Sequence, residues 1–131
     1  MRRITIVSER RFGLIAEISE ALADANVNIQ TINGETFENS AVLIITVDKY
    51  DQALHTIQGL SGMRAISEDA ILLRLEDEPG ALAKVARRFT TANIDIRSVR
   101  FMQRDDRHAL VAVSTDRTQE ALALVQDILV S

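Results

Sequence analysis

The stretch Ile4–Asp48, ITIVSERRFGLIAEISEALADANVNIQTINGETFENSAVLIITVD, lies over Ile71–Thr115, ILLRLEDEPGALAKVARRFTTANIDIRSVRFMQRDDRHALVAVST, when the chain is slid along itself by 67 residues without a gap. Eight of the 45 pairs are identical: Ile4/Ile71, Glu9/Glu76, Gly13/Gly80, Ala16/Ala83, Ala25/Ala92, Asn26/Asn93, Ile29/Ile96 and Leu43/Leu110. At other positions one apolar residue replaces another, as in Ile6/Leu73, Ile15/Leu82, Ile18/Val85, Leu22/Phe89, Val27/Ile94, Ile32/Val99 and Ile44/Val111. A duplication that keeps its core positions and frees the rest leaves this trace. The 131 residues therefore read as two modules, residues 1–68 and 69–131.

Each module carries the same order of signals. The runs Arg3–Ser8 and Ala70–Leu75 are short and β-rich, and a polar loop ending at Gly13 or Gly80 follows. Leu14, Ile15, Ile18, Leu22 and Ala25 then recur at helical spacing, as do Ala81, Leu82, Val85, Phe89 and Ala92. Asn26 and Asn93 come next, where a left-handed cap suits asparagine. Two strands, Asn28–Thr36 and Ala41–Val47, flank the polar turn Phe37–Ser40; Asp95–Gln103 and Ala109–Ser114 flank Arg104–Arg107. Helices over Tyr50–Gln58 and Thr118–Ile128 follow, and a last strand, Met63–Ser67, closes the first copy. The fold class is α+β: two ferredoxin-like βαββαβ modules, antiparallel sheets with helices on one face. The second copy lacks its last strand, since only Leu129, Val130 and Ser131 follow its second helix. Its first strand would then have a bare edge, which proteins usually cover. Pairing of Met63–Ser67 with Ala70–Leu75 as a hairpin is the expected cover.

Composition narrows the function. The chain is 47% hydrophobic and 26% charged, that of a folded globular protein. It has no cysteine, which excludes disulfides, thiolate metal sites and cysteine nucleophiles. Fifteen basic against 19 acidic side chains argue against nucleic-acid binding, which needs clustered cations. Aromatic residues are 4% of the chain and none lies in Ala41–Val47 or Ala109–Ser114, so the stacking face of an RNA-recognition module is missing. No apolar run approaches the ~20 residues of a membrane span, and the expected location is cytoplasmic. No Ser-His-Asp spacing, phosphate-binding glycine loop or paired histidine motif occurs, so neither a catalytic set nor a metal or cofactor site is expected. His55 and His108 lie on different elements and read as surface or packing residues.

The loop and strand openings resemble the ACT domain family, regulatory modules that bind amino acids and control amino-acid metabolism. The family pattern is Asp/Asn-x-Pro-Gly before an apolar helix, then hydrophobic-Asn-Ile at the second strand. The second copy has Asp77-Glu78-Pro79-Gly80-Ala81-Leu82 and Asn93-Ile94-Asp95-Ile96. The first has Arg10-Arg11-Phe12-Gly13-Leu14-Ile15 and Asn26-Val27-Asn28-Ile29. The resemblance covers nearly the whole chain as a tandem pair. It implies a free amino acid as ligand where two modules abut, a homodimer, and an amino-acid biosynthetic enzyme or regulator as partner.

What it implies for residues is one site from Asp77, Gly80 and Ala81 with Asn28, and a reciprocal one from Arg10, Gly13 and Leu14 with Asp95. Helix N-termini after each glycine would offer free N–H groups to a carboxylate. Asp77 would accept from the ammonium, and Asn28 would donate and accept. Arg10 stands where the family has Asp or Asn, Phe12 replaces its proline and Asp95 its asparagine. The reciprocal site therefore has its charges reversed, which favours the Asp77 site as the competent one. Other readings stay open: Gly13 and Gly80 as plain tight turns, Asp77 and Glu78 as partners of a helix dipole, Asn28 and Asp95 as turn residues. A non-catalytic interaction subunit with a vestigial pocket is the alternative function. The outward residues of the first helix, Glu17, Glu20 and Asp24, oppose in sign Lys84, Arg87 and Arg88 of its counterpart. Such complementarity would specify pairing between copies more than add affinity.

Overall fold

A computed structural model describes residues 2–66 and 70–130. The chain divides into two compact units, Met1–Glu68 and Asp69–Ser131. In the first, the order is β1 (Arg3–Glu9), α1 (Leu14–Asp24), β2 (Ile29–Phe37), β3 (Ser40–Val47), α2 (Tyr50–Gln58) and β4 (Met63–Ile66). The sheet runs β2-β3-β1-β4, antiparallel throughout. Alternate residues of β1 and β3 turn to one face, so Ile4, Ile6, Leu43 and Ile45 meet Ile18, Leu22, Ala53 and Ile57 of the helices in one core. The second unit follows with β5 (Ala70–Glu76), α3 (Ala81–Thr91), β6 (Ile96–Arg104), β7 (His108–Thr115) and α4 (Thr118–Leu124). Its sheet is β5-β7-β6, and Leu73, Val85, Phe89, Val111 and Val125 centre its core. This is the expected βαββαβ pattern with the second copy short of its last strand.

Both first helices end in the same cap. Asn26 and Asn93 have φ of 60°, and the N–H of Val27 and of Ile94 reach back to Leu22 O and Phe89 O at 2.9 Å. Asn26 N–H and Asn93 N–H bond Ala23 O and Thr90 O at 2.9 and 3.0 Å, completing the two-bond reverse turn of a helix C-terminus. Both caps gain a side-chain donor from the chain beyond β3 or β7: Lys49 Nζ reaches Asn26 O at 2.6 Å, and an Arg117 guanidinium nitrogen reaches Asn93 O. The glycines opening the helices, Gly13 and Gly80, have φ of 80° and 87° with open space around a built Cβ. Positive φ is therefore what demands glycine at these turns.

Three expectations are corrected. The repeat is not gap-free: β5 pairs Leu73 with Val111 as β1 pairs Ile6 with Leu43, so Leu43 matches Val111 rather than Leu110. The added residue is Met102, a bulge between the Phe101–Val111 and Gln103–Leu110 pairs of β6 and β7. Second, the last helix ends at Leu124 rather than Ile128, because Val125, fully buried, starts turns that reverse the chain. Third, that reversal covers the edge the hairpin was expected to cover. Arg74 N–H bonds Ile128 O at 2.9 Å, Val130 N–H bonds Leu72 O at 2.8 Å, and Leu73 bridges Leu129. In the first sheet β4 pairs with β1. Ser67, Glu68 and Asp69, the tip of the expected hairpin, lie outside the described residues.

Candidate functional site

The loop between β1 and α1 is tied down by Arg10 N–H, which donates to Asn39 O at 2.7 Å in the turn between β2 and β3. Arg11 folds back over α1: its Nη2 lies 2.7 Å from Glu17 Oε2 and 3.4 Å from Ser61 O. Glu17 N–H makes the first helical bond, to Gly13 O, so the N–H groups of Leu14, Ile15 and Ala16 have no helical acceptor. Among the described residues the Arg10 guanidinium has no hydrogen-bond or ion-pair partner.

Beneath this loop is a cavity of about 510 Å³, framed by the start of α1, the second half of β2 and the start of β3. Leu14, Ala41 and Leu43 give it apolar walls, and Arg10 and Arg11 its positive charge. Gly34 borders it on β2, where a Cβ would meet Leu43 Cδ2 at 2.8 Å. Phe12, fully exposed, and Ile15, 55% exposed, stand in water at the same place.

The second unit treats the matching position differently. Pairing to β7 sets Phe101 where Gly34 stands, opposite Val111 instead of Leu43. Phe101 is half-buried and packs on the second core. The Arg104 guanidinium stacks 4.3 Å above the Phe101 ring and its Nη1 lies 3.8 Å from Asp77 Oδ1. Asp77 N–H donates to Arg107 O at 2.9 Å. Thus Arg10 is a free cation at an open cavity, whereas Asp77 has a cation beside it and an aromatic ring in the corresponding place.

The structure gathers the expected site residues in two groups per unit. Arg10, Gly13 and Leu14 share one end of the first unit, and Asn28 lies at the other end of α1, whose 11 residues span about 16 Å. Asp77, Gly80 and Ala81 are separated from Asp95 by α3 in the same way. Asn28 N–H donates to Asp48 Oδ1 at 2.9 Å, and Asp95 N–H donates to Asp116 Oδ1 at 3.0 Å. Both side chains are exposed. The equivalence of Asp48 with Asp116 again reflects the Met102 insertion.

Two of the opposed helix charges have partners inside their own unit. Glu17 binds Arg11, and Arg88 holds Asp127 in a two-pronged contact at 2.7 and 3.0 Å while also bonding Leu124 O. The hydrogen bond from Arg88 lowers the Asp127 carboxyl below its ordinary value and raises that of Arg88. His108 is half-buried, with Nε2 3.4 Å from Glu76 and Nδ1 3.4 Å from Arg74. Gly34, which borders the cavity, was not among the residues expected from the sequence. Its signal was present, since the repeat already sets Gly34 opposite Phe101.

No model of a known protein family matches the sequence, and no curated protein matches it. Solved structures do. Protein BT0572 from Bacteroides thetaiotaomicron is similar at 19% identity over 98% of this chain and 90% of its own, with a TM-score of 0.50. The fold is that of two ferredoxin-like βαββαβ units in tandem. The ligand-free regulatory subunit of aspartate kinase from Thermus thermophilus is similar at 17% identity, over 96% and 91% of the two chains, with a TM-score of 0.47. The corresponding subunit from Thermus flavus gives 16%, 96% and 90%, with a TM-score of 0.43. Among the described residues, no helix of either unit is long and apolar enough to cross a membrane.

Proposed function

We propose that this chain is a tandem ACT protein, a non-catalytic regulator of amino-acid metabolism that binds a free amino acid and works as a cytoplasmic homodimer on a biosynthetic enzyme or regulator. The observation that carries the reading is the cavity under the Arg10–Gly13 loop, which combines apolar walls, unpaired helix N–H groups and an unpaired cation. A cavity of this size suits a small ligand. An amino-acid carboxylate is matched by Arg10 and the start of α1, each charge-assisted bond contributing about 1.5–3 kcal/mol. After the cost of ordering, a few such bonds give micromolar to millimolar affinity, the range of a sensor.

The loop at one end of α1 and the strand opening at the other cannot reach one ligand within a unit. A site drawing on both therefore takes its loop from one module and Asn28 or Asp95 from another. Because Asp77 already has Arg104 beside it, the weight moves from the Asp77–Gly80 loop to the Arg10–Gly13 loop. A thermal-shift panel of the twenty amino acids tests the reading. One selective stabiliser is expected, and a flat panel would refute it in favour of an interaction subunit docking through Phe12 and Ile15, the apolar side chains left in water.

A further inference from the structure

From the contrast between Gly34 and Phe101 we infer that the first ACT unit binds the large apolar side chain of its ligand inside the cavity beside Gly34, and that Phe101 closes the equivalent place in the second unit. The chain then takes one ligand of the leucine, isoleucine, methionine or phenylalanine class, not two. This rests on the amino-acid-binding reading and adds the ligand class, the count and the residue that sets specificity.

The two units share register on both sides of the position. Gly34 faces Leu43, and Leu43 pairs with Ile6; Phe101 faces Val111, and Val111 pairs with Leu73. A Cβ on Gly34 would lie 2.8 Å from Leu43 Cδ2, so the larger residue on β3 has taken part of the volume a ring fills in the second unit. The rest is the cavity. Phenylalanine buries 150–250 Å² where it packs, so a core position emptied of one leaves an apolar hollow of ligand size. Its polar lining includes Arg10, Arg11 and Thr36. Arg10 and the N–H groups of Leu14, Ile15 and Ala16 meet a carboxylate. An apolar side chain entering from there would also cover Phe12 and Ile15. In the second unit, the ring of Phe101 and the guanidinium of Arg104 occupy both the hollow and its mouth.

Two substitutions test this by isothermal titration of the full chain with each of the twenty amino acids. Gly34→Phe combined with Leu43→Val rebuilds the arrangement of the second unit. It should keep the circular dichroism and melting temperature of the parent while weakening the best apolar amino acid by more than about tenfold, the scale on which hydrophobic pockets discriminate. Arg10→Glu, at an exposed and unpaired side chain, should weaken the same ligand without touching the core. The parent should bind one ligand per chain. A small or charged amino acid as the tightest ligand, two equivalent sites, or apolar binding that survives both variants would overturn the inference and leave amino-acid sensing standing. No binding by any of the twenty would overturn both.

Discussion

Removing residues 126–131 should unfold the second unit far more than the loss of a loose tail would. The segment gives two backbone hydrogen bonds to the edge of β5, Ile128 O from Arg74 and Val130 N–H to Leu72. At about 0.5–1.5 kcal/mol each, these contribute about 2 kcal/mol. Ile128 and Leu129 are half-buried against the second core. Half of the 1.5–3 kcal/mol for a fully buried aliphatic side chain, counted twice, adds about 2 kcal/mol. The exposed Arg88–Asp127 pair is left out of the sum. A loss of about 4 kcal/mol is a large part of the 5–15 kcal/mol that holds a domain folded. It should lower the melting temperature of this unit by more than about 15 °C. Urea unfolding followed by circular dichroism reads the loss, and size-exclusion chromatography reads the bared β5 edge as self-association. A truncated chain with the parent's midpoint and elution volume would refute the account of the C-terminal segment as an edge cover.

Phe89→Ala, at a fully buried ring in the second core, should cost about 3–5 kcal/mol in chemical unfolding. Gly80→Ala should cost only about 1 kcal/mol: φ of 87° penalises the side chain by about 1–2 kcal/mol, its Cβ meets nothing, and a stiffer unfolded chain returns part of the cost. Gly80→Asn should cost less, because asparagine tolerates that conformation, and equal losses would contradict the backbone argument. Asp127 is held below the ordinary carboxylate range by Arg88, so the pair stabilises the fold above about pH 4 and loses its effect as the pH falls through the lowered value. The gap in unfolding midpoint between the parent chain and Asp127→Asn should therefore be present at pH 7 and close in acid; a gap that widened in acid would contradict this.

The fold was legible because its strongest signals are local. Helical spacing from Leu14 to Ala25, left-handed Asn26 and Asn93, and Tyr50–Gln58 each follow from residue type and period, and two copies made each reading twice. What escaped was long-range. Met102 cannot be seen as an insertion from its neighbours, because an edge strand absorbs one extra residue while the apolar pattern nearby still aligns. The end of α4 at Leu124 depends on Leu129 finding the β5 edge, which helical periodicity does not encode. Motif reading pointed to the Asp77 loop, whereas the open cavity is bordered by Gly34, a position carrying no side chain to attract notice. Arg88 read as a surface cation until the reversal after Val125 brought Asp127 to it.

The Met102 bulge has a consequence for how such a duplicated chain can change. A single inserted residue in a regular strand would turn everything after it to the opposite face. Here the bulge takes up the extra residue, so Arg104 still emerges on the same side as Phe101 and stacks on it. Deleting one codon at position 102, with no other substitution, would leave Phe101, Gln103 and Arg104 in the regular register that Gly34, Glu35 and Thr36 hold in the first unit, with Arg104 on the same side and still beside Asp77. Because the event is confined to an outermost strand, one half of the molecule can gain or lose a residue while its core pairs, and those of the other half, keep their register.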